Sequence, residues 1–233
     1  MRKKSVILSF SGGADSTILL HLAAKQFENV HAVSFDYGQR HKKELLCAEQ
    51  QLSSIPNLIQ YNILSLPFIE QYKTSALTNN DIKVPKTQHV MGDPQTSAYI
   101  PNRNMTFLSI LIGIAEDGNI DIVWYGAAQA DSVAGFYDGS PEFLTAINNI
   151  TDLNRRNKIK IEAPLVDKSK KEIIQMGLDL GVDFSHTWTC YEGLDLACGE
   201  CTACSARLQG FIQAGIKDPL SYSKDIPWDK LLA

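Results

Sequence analysis

The strongest constraint on this chain lies near its start, where the apolar run Val6-Ile7-Leu8-Ser9-Phe10 leads directly into Ser11-Gly12-Gly13-Ala14-Asp15-Ser16-Thr17. From Ser16 to Phe27, Ile18, Leu19, Leu22 and Ala23 recur at helical spacing. A β-rich run, a glycine turn and a helix in that order predict a strand–loop–helix unit. Such a unit aims backbone N–H groups and the positive end of a helix dipole at one point, which is a site for a phosphate-like anion. Gly12 and Gly13 let the backbone approach that anion with no Cβ in the way. Ser11, Ser16 and Thr17 add hydroxyl donors. No Gly-Lys-Ser/Thr follows, so the loop is not a Walker A sequence. A plain strand-to-helix turn that merely needs glycine is the other reading of the same residues.

The remaining chain alternates short apolar runs with helical periods. Strands are expected at Val6–Phe10, Val30–Phe35, Leu58–Ile63, Ile120–Gly126 and Ile159–Ala163. Helices are expected at Ser16–Phe27, Arg40–Ser53, Asn104–Glu116, Pro141–Leu153, Lys170–Leu180 and Thr202–Ala214. This pattern predicts an α/β fold with a doubly wound parallel sheet, in which ligands bind beyond the carboxyl ends of the strands. Distinctive polar residues fall at that edge: Asp36-Tyr37-Gly38-Gln39-Arg40-His41, Asn102-Arg103-Asn104, Gln129-Ala130-Asp131, and the helix start Ser169-Lys170-Lys171-Glu172. Ser169 with Glu172 is also a capping box that needs no function. The segment Thr74–Tyr99 is long for a connection in a compact domain and is expected to be a flap over the substrate.

With 233 residues, the chain can form one large α/β domain over 1–185 and a small C-terminal region over 186–233. The formal charge of −4 argues against a broad nucleic-acid surface. No window approaches the roughly 20 apolar residues of a membrane span. Met1-Arg2-Lys3-Lys4 superficially resembles the start of a signal peptide, but the apolar run ends at Phe10, too soon for an h-region. A cytoplasmic protein is expected.

Of five cysteines, Cys190, Cys198, Cys201 and Cys204 crowd into one loop-rich stretch. Their spacing suits a closed tetrahedral zinc site of structural rather than catalytic role. A [4Fe–4S] cluster competes on spacing alone, and two disulfides are disfavoured in a reducing compartment. Cys47 stands apart in an expected helix as a small apolar side chain.

Ser11-Gly12-Gly13-Ala14-Asp15-Ser16 resembles the SGGxDS pyrophosphate loop of the ATP pyrophosphatases, which cleave ATP between the α- and β-phosphates. Taken with Phe35-Asp36-Tyr37-Gly38-Gln39-Arg40-His41, Ile100-Pro101-Asn102-Arg103-Asn104, Ser169-Lys170-Lys171-Glu172 and the array from Thr187 to Arg207, the chain is similar to the 7-cyano-7-deazaguanine synthase family, QueC. The resemblance runs from about Val6 to Leu208. It implies an adenine nucleotide alpha-hydrolase-like fold and an ATP-dependent carbon–nitrogen ligase. Such an enzyme adenylates 7-carboxy-7-deazaguanine, lets ammonia attack to give an amide, and dehydrates the amide with a second ATP to the nitrile, a queuosine precursor. It further implies ATP with Mg²⁺ as co-substrate, one structural Zn²⁺ per chain, and a homodimer, with no direct nucleic-acid or membrane partner.

Carried onto this sequence, the resemblance places ATP against Phe10, Ser11, Gly12, Gly13, Ala14, Asp15, Ser16, Thr17, Ile18, Leu19 and Leu20. Asp15, Ser16, Lys170 and Arg103 are the expected catalytic residues, with Lys170 a counter-charge for departing pyrophosphate. Gln39, Arg40, His41, Asp131 and Tyr191 are the expected substrate contacts. One departure stands out. Where members of the family often carry Tyr-Pro-Asp-Cys-Arg, this chain reads Phe136-Tyr137-Asp138-Gly139-Ser140. A ligase using another amine is therefore an alternative, as is a tRNA-modifying thiolase on the same loop, which would need a reactive Cys47.

Overall fold

The computed structural model describes residues 3–87, 97–129 and 136–232. β1 (Lys3–Ser9) is followed by α1 (Ala14–Gln26), β2 (Phe27–Asp36), α2 (Lys43–Gln51) and β3 (Leu58–Ser65). Then come α3 (Arg103–Asp117), β4 (Ile122–Trp124), α4 (Pro141–Thr151), β5 (Lys160–Glu162), α5 (Lys170–Asp179), α6 (Thr202–Gln213) and the short α7 (Trp228–Leu231). The strands form one parallel sheet in the order β3-β2-β1-β4-β5. The chain reverses its direction of winding at β1, so the carboxyl ends of β1 and β4 flank the crevice where such sheets place ligands.

Period-two alternation along β1 sets the two faces of the sheet. Val6, Leu8 and Phe10 enter a core with Ile18 and Leu19 of α1, Ile173 and Ile174 of α5, and Phe211 of α6. Ile7 points the other way, into a core with Val33, Val123, Leu108 and Leu111 of α3, and Phe143 and Ile147 of α4. Both faces are thus covered, which is why these strands read as unbroken apolar runs. A third, smaller cluster joins Cys47, Ala76, Val84 and Trp188 to Cys190, Cys201 and Cys204.

The elements match the expected ones with shifted ends. β2 starts at Phe27 rather than Val30, immediately after α1, because Phe27 packs edge-on against Trp124 (ring centroids 5.1 Å apart). β4 is confined to Ile122–Trp124, and β5 offers it only Lys160–Glu162 as partner. Ser169 and Glu172 form the complete capping box anticipated for α5. Within the segment expected as a flap, residues 74–87 and 97–99 are described, and they are packed down. Ala76 N donates to Ser97 O, Arg40 N donates to Leu77 O, and Lys86 bridges to Cys201. No helix among the described residues is long and apolar enough to cross a membrane.

Candidate functional site

A cavity of about 380 Å³ opens at the carboxyl edge of the sheet, between the glycine loop, α2, the start of α3, the start of α5 and the segment that leads into the cysteines. The loop forms one end. Gly13 is the N-cap residue of α1, yet no side chain caps the helix there. Thr17 N makes the first helical bond, to Gly13 O, at 3.0 Å. The N–H groups of Ala14, Asp15 and Ser16 therefore precede the helical ladder and remain available to an anion.

The serines hold the loop's shape. Ser11 Oγ and Ser16 Oγ lie 3.1 Å apart, Gly13 N donates to Ser11 Oγ, and Ser16 Oγ donates to Gly13 O. Gly12 has a different role from the one expected. With φ at +84° it occupies the left-handed region, and a Cβ there would lie 2.1 Å from Glu44 O and 2.6 Å from Ala48 N of α2. Glycine at 12 thus answers to close packing of α2 on the loop, while Gly13 lines the cavity. Trp188 N donates to Gly12 O at 2.9 Å and fixes the outer side of the bend.

Lys170, the first residue of α5, reaches across to the loop, where its Nζ pairs with Asp15 Oδ2. Arg103, the first residue of α3, lines the cavity from another side. Its Nη1 approaches Tyr37 OH at 3.5 Å, and its guanidinium lies 6.0 Å from the ring centres of Tyr37 and Phe107. Burial works against the charge of Arg103, but Tyr37, Tyr191, Asp138 and Glu44 around it raise its pKa instead. The cavity therefore presents fixed positive charge from two helix starts, beside the open end of a third.

Aromatic rings form the rest of the wall. Phe35 and Phe107 stack at 4.0 Å, Tyr37 meets His41 edge-on at 6.5 Å, and His41 meets Tyr191 at 5.6 Å. Within this group sits Glu44, which the sequence reading did not single out. Its Oε1 accepts from Gln39 Nε2 at 3.1 Å and lies 3.5 Å from His41 Nε2. Burial pushes the Glu44 carboxyl up to about 8, against the pull of Gln39 and Arg103. Burial, with repulsion from Arg103 and Arg40, lowers His41 to about 3, so its imidazole is neutral.

Of the expected site residues, Phe10, Ser11, Gly13, Ala14, Asp15, Ser16, His41, Arg103, Lys170 and Tyr191 are brought together around this cavity. Thr17, Ile18, Leu19 and Leu20 are not, because their side chains turn into the buried flank of α1. Gln39 also lies outside the lining and is buried. Its amide braces the β2–α2 turn, donating to Phe35 O and Glu44 while its oxygen accepts from Tyr37 N. Arg40 points away from the cavity and clamps the 74–87 segment through Asn80 Oδ1 and Ile82 O, with Glu192 at 3.7 Å. Asp131 lies outside the described residues.

The four clustered cysteines have their sulfurs within 4.8 Å of one another and could hold a metal ion. Cys198 Sγ and Cys204 Sγ are 3.9 Å apart, near the edge of about 3.8 Å that a tetrahedron with metal–sulfur bonds of about 2.3 Å requires. Backbone N–H groups of Cys198, Glu200, Cys201 and Cys204 point at these sulfurs, as suits thiolates. Cys201 also caps α6, its Sγ accepting from Cys204 N. Cys47, by contrast, is buried outside the cavity, and burial raises its pKa, which withholds the thiolate a sulfur-transfer step needs.

One further connection was invisible in the sequence. Arg207 of α6 forms a buried bidentate pair with Asp218 at 2.6 and 2.9 Å. The same guanidinium donates to Thr187 Oγ1 at 2.8 Å, Thr189 Oγ1 at 3.2 Å and Phe184 O at 3.1 Å. The helix that grows from the cysteines thereby holds the extended segment carrying Trp188, which holds Gly12.

A family model described as queuosine biosynthesis protein QueC matches residues 4–215. A 7-cyano-7-deazaguanine synthase of Clostridium kluyveri is 40% identical, the match covering 94% of this chain and 98% of that protein. One of Coxiella burnetii is 41% identical over the same shares of the two chains. Among solved structures, the U34-tRNA thiolase NcsA from Methanococcus maripaludis is similar at 17% identity and a TM-score of 0.48, with 78% of this chain and 58% of that one covered. This chain thus spans somewhat over half of the thiolase's length.

Proposed function

The chain belongs to the family of the queuosine biosynthesis protein QueC, and from that premise we propose that it is an ATP-dependent carbon–nitrogen ligase making 7-cyano-7-deazaguanine from 7-carboxy-7-deazaguanine and ammonia. The observation that carries the chemistry is the uncapped start of α1 beside Lys170 and Arg103 in one cavity.

A carboxylate is a poor electrophile until it gains a leaving group. In this reading the β- and γ-phosphates of ATP lie on the N–H groups of Ala14, Asp15 and Ser16, with Lys170 over the departing pyrophosphate. These donors are aimed before reaction begins, so stabilising the developing charge needs little reorganisation. Asp15 is the carboxylate at the loop that suits Mg²⁺, which would neutralise phosphate charge when bound. Arg103 draws the substrate carboxylate toward the α-phosphate, and Tyr191 with His41 flanks the heterocycle. Ammonia attacks the acyl-adenylate to give the amide and AMP. A second ATP activates the amide oxygen, and loss of AMP and a proton leaves the nitrile. No nucleophilic side chain is needed, and Cys47 offers none.

In the same reading the four thiolates hold one Zn²⁺. The tetrahedral sulfur spacing supports this over a cubane, whose separate irons would hold the sulfurs further apart. With all four positions taken by protein, the metal supports folding rather than reaction. The resemblance to the family also carries the expectation of a cytoplasmic homodimer, which light scattering would check. The test of function is incubation with ATP, Mg²⁺, ammonium and the acid, followed by mass spectrometry. Amide, nitrile and AMP are expected. An untouched acid with folded, zinc-loaded protein would remove the substrate assignment.

A further inference from the structure

Three carboxylates line the cavity among the described residues: Asp15, Glu44 and Asp138. Asp15 is paired with Lys170, and Asp138 is half-exposed on the turn before α4. Glu44 differs from both. It is buried at the ring-lined part of the cavity, its Oε1 is braced by Gln39, and no hydrogen bond among the described residues reaches its Oε2. Its own backbone oxygen packs against the Gly12 bend, so the side chain's position is fixed relative to the phosphate end.

The substrate class has a matching polarity. Its carboxylate, on the five-membered ring, must reach the α-phosphate beside the glycine loop. The N1–H and 2-amino group, on the six-membered ring, then point away from the loop, toward the aromatic wall. We infer that Glu44 reads this edge, accepting from N1–H and the 2-amino N–H on its two carboxylate oxygens. Gln39 and His41 are then positioning residues for Glu44 rather than substrate contacts through their polar atoms. Two incoming donors supply the hydrogen bonds that the ionised carboxylate otherwise lacks in this buried place, and its proton passes to solvent as they arrive. A desolvated acceptor pair rejects a ligand that lacks one donor more sharply than an exposed one does, because the unmatched oxygen stays unsatisfied.

The inference rests on the proposed substrate, and the experiment separates the two. Wild-type protein and Glu44→Gln are each given 7-carboxy-7-deazaguanine and its analogue without the 2-amino group, 7-carboxy-7-deazahypoxanthine, and AMP release is followed. Wild type is expected to prefer the 2-amino acid by at least about tenfold in kcat/KM, mainly through KM. Glu44→Gln presents one acceptor and one donor, so its preference falls to within about threefold while its KM for the 2-amino acid rises. A merely structural role would weaken both acids together and leave the ratio alone. An unchanged ratio in Glu44→Gln overturns the inference, as does wild-type protein that uses both acids equally, whether or not the variant folds. No AMP from either acid with wild type removes the substrate reading and this inference with it.

Discussion

Removing the Asp218 carboxylate should cost this fold more than any other single charge deletion described above. The side chains of Arg207 and Asp218 are 1% and 0% exposed, so Asp218→Ala leaves a guanidinium buried without its counter-ion. Breaking such a pair costs about 3–5 kcal/mol, mostly for the stranded charge. Thr187, Thr189 and Phe184 would still accept from Arg207, which places the expected loss near the lower end, about 3 kcal/mol. In a chain of this length each kcal/mol lowers the melting point by about 2–4 °C, so about 6–12 °C is expected by calorimetry on metal-loaded protein. The double variant Arg207→Met/Asp218→Leu should recover part of that loss, because an apolar pair of similar volume strands no charge, while Leu220 N and Tyr222 OH still lose their acceptor. Asp218→Ala should also raise KM for ATP, since Arg207, which Asp218 holds, tethers the 187–189 segment that fixes Gly12. A loss under about 1 kcal/mol, the value of an exposed pair, would refute the reasoning.

Four further outcomes are expected. Lys170→Met should lower kcat/KM for pyrophosphate release by about 10²–10³, the loss seen when one preorganised donor to developing charge is removed; a change under threefold would contradict its role. Gly12→Ala should destabilise by about 2–5 kcal/mol in urea unfolding, combining left-handed strain with overlap against α2. Chelation of the metal, or Cys204→Ser, should lower thermal stability together with bound zinc, because metal binding and folding are coupled. Between the ordinary glutamate value of 4.5 and about 8, folded protein keeps a proton on Glu44 that the unfolded chain releases, so this group's contribution to stability falls as pH rises. Wild type should therefore lose stability relative to Glu44→Gln from pH 5 to 8 in denaturant titrations, and a difference that moves the other way would refute the assignment.

The sheet and its helices were legible because their signals are local. Val6, Leu8 and Phe10 alternate with Ile7, and Ser169 sits three residues before Glu172. The glycine bend between a strand and a helix was legible for the same reason, as was the cysteine cluster. What stayed hidden is held across the chain. Glu44 looks like an ordinary first-turn acid of α2 until Tyr37, His41 and Arg103 are folded around it. Arg207 and Asp218 are separated by a helix end, and nothing in their spacing marks a pair. Gln39 and Arg40 read as site residues because they follow a strand end, yet the turn rotates one inward as a brace and the other outward as a clamp. Gly12 was expected to make room for an anion, and the neighbour that also demands glycine there, α2, arrives from more than 30 residues further along the chain.

Position 201 illustrates how narrow the choice of residue can become when two demands meet on one atom. A helix start accepts Ser, Thr, Asp or Asn with little loss, whereas a soft divalent ion among thiolates accepts cysteine or histidine. A short side chain ending in sulfur satisfies both: in the proposed zinc site it would close the metal's coordination while receiving the Cys204 N–H in the same place. Replacement there by serine should still offer an oxygen to the first turn of α6 yet release the ion, so thermal stability should fall with zinc occupancy although the helix start keeps an acceptor.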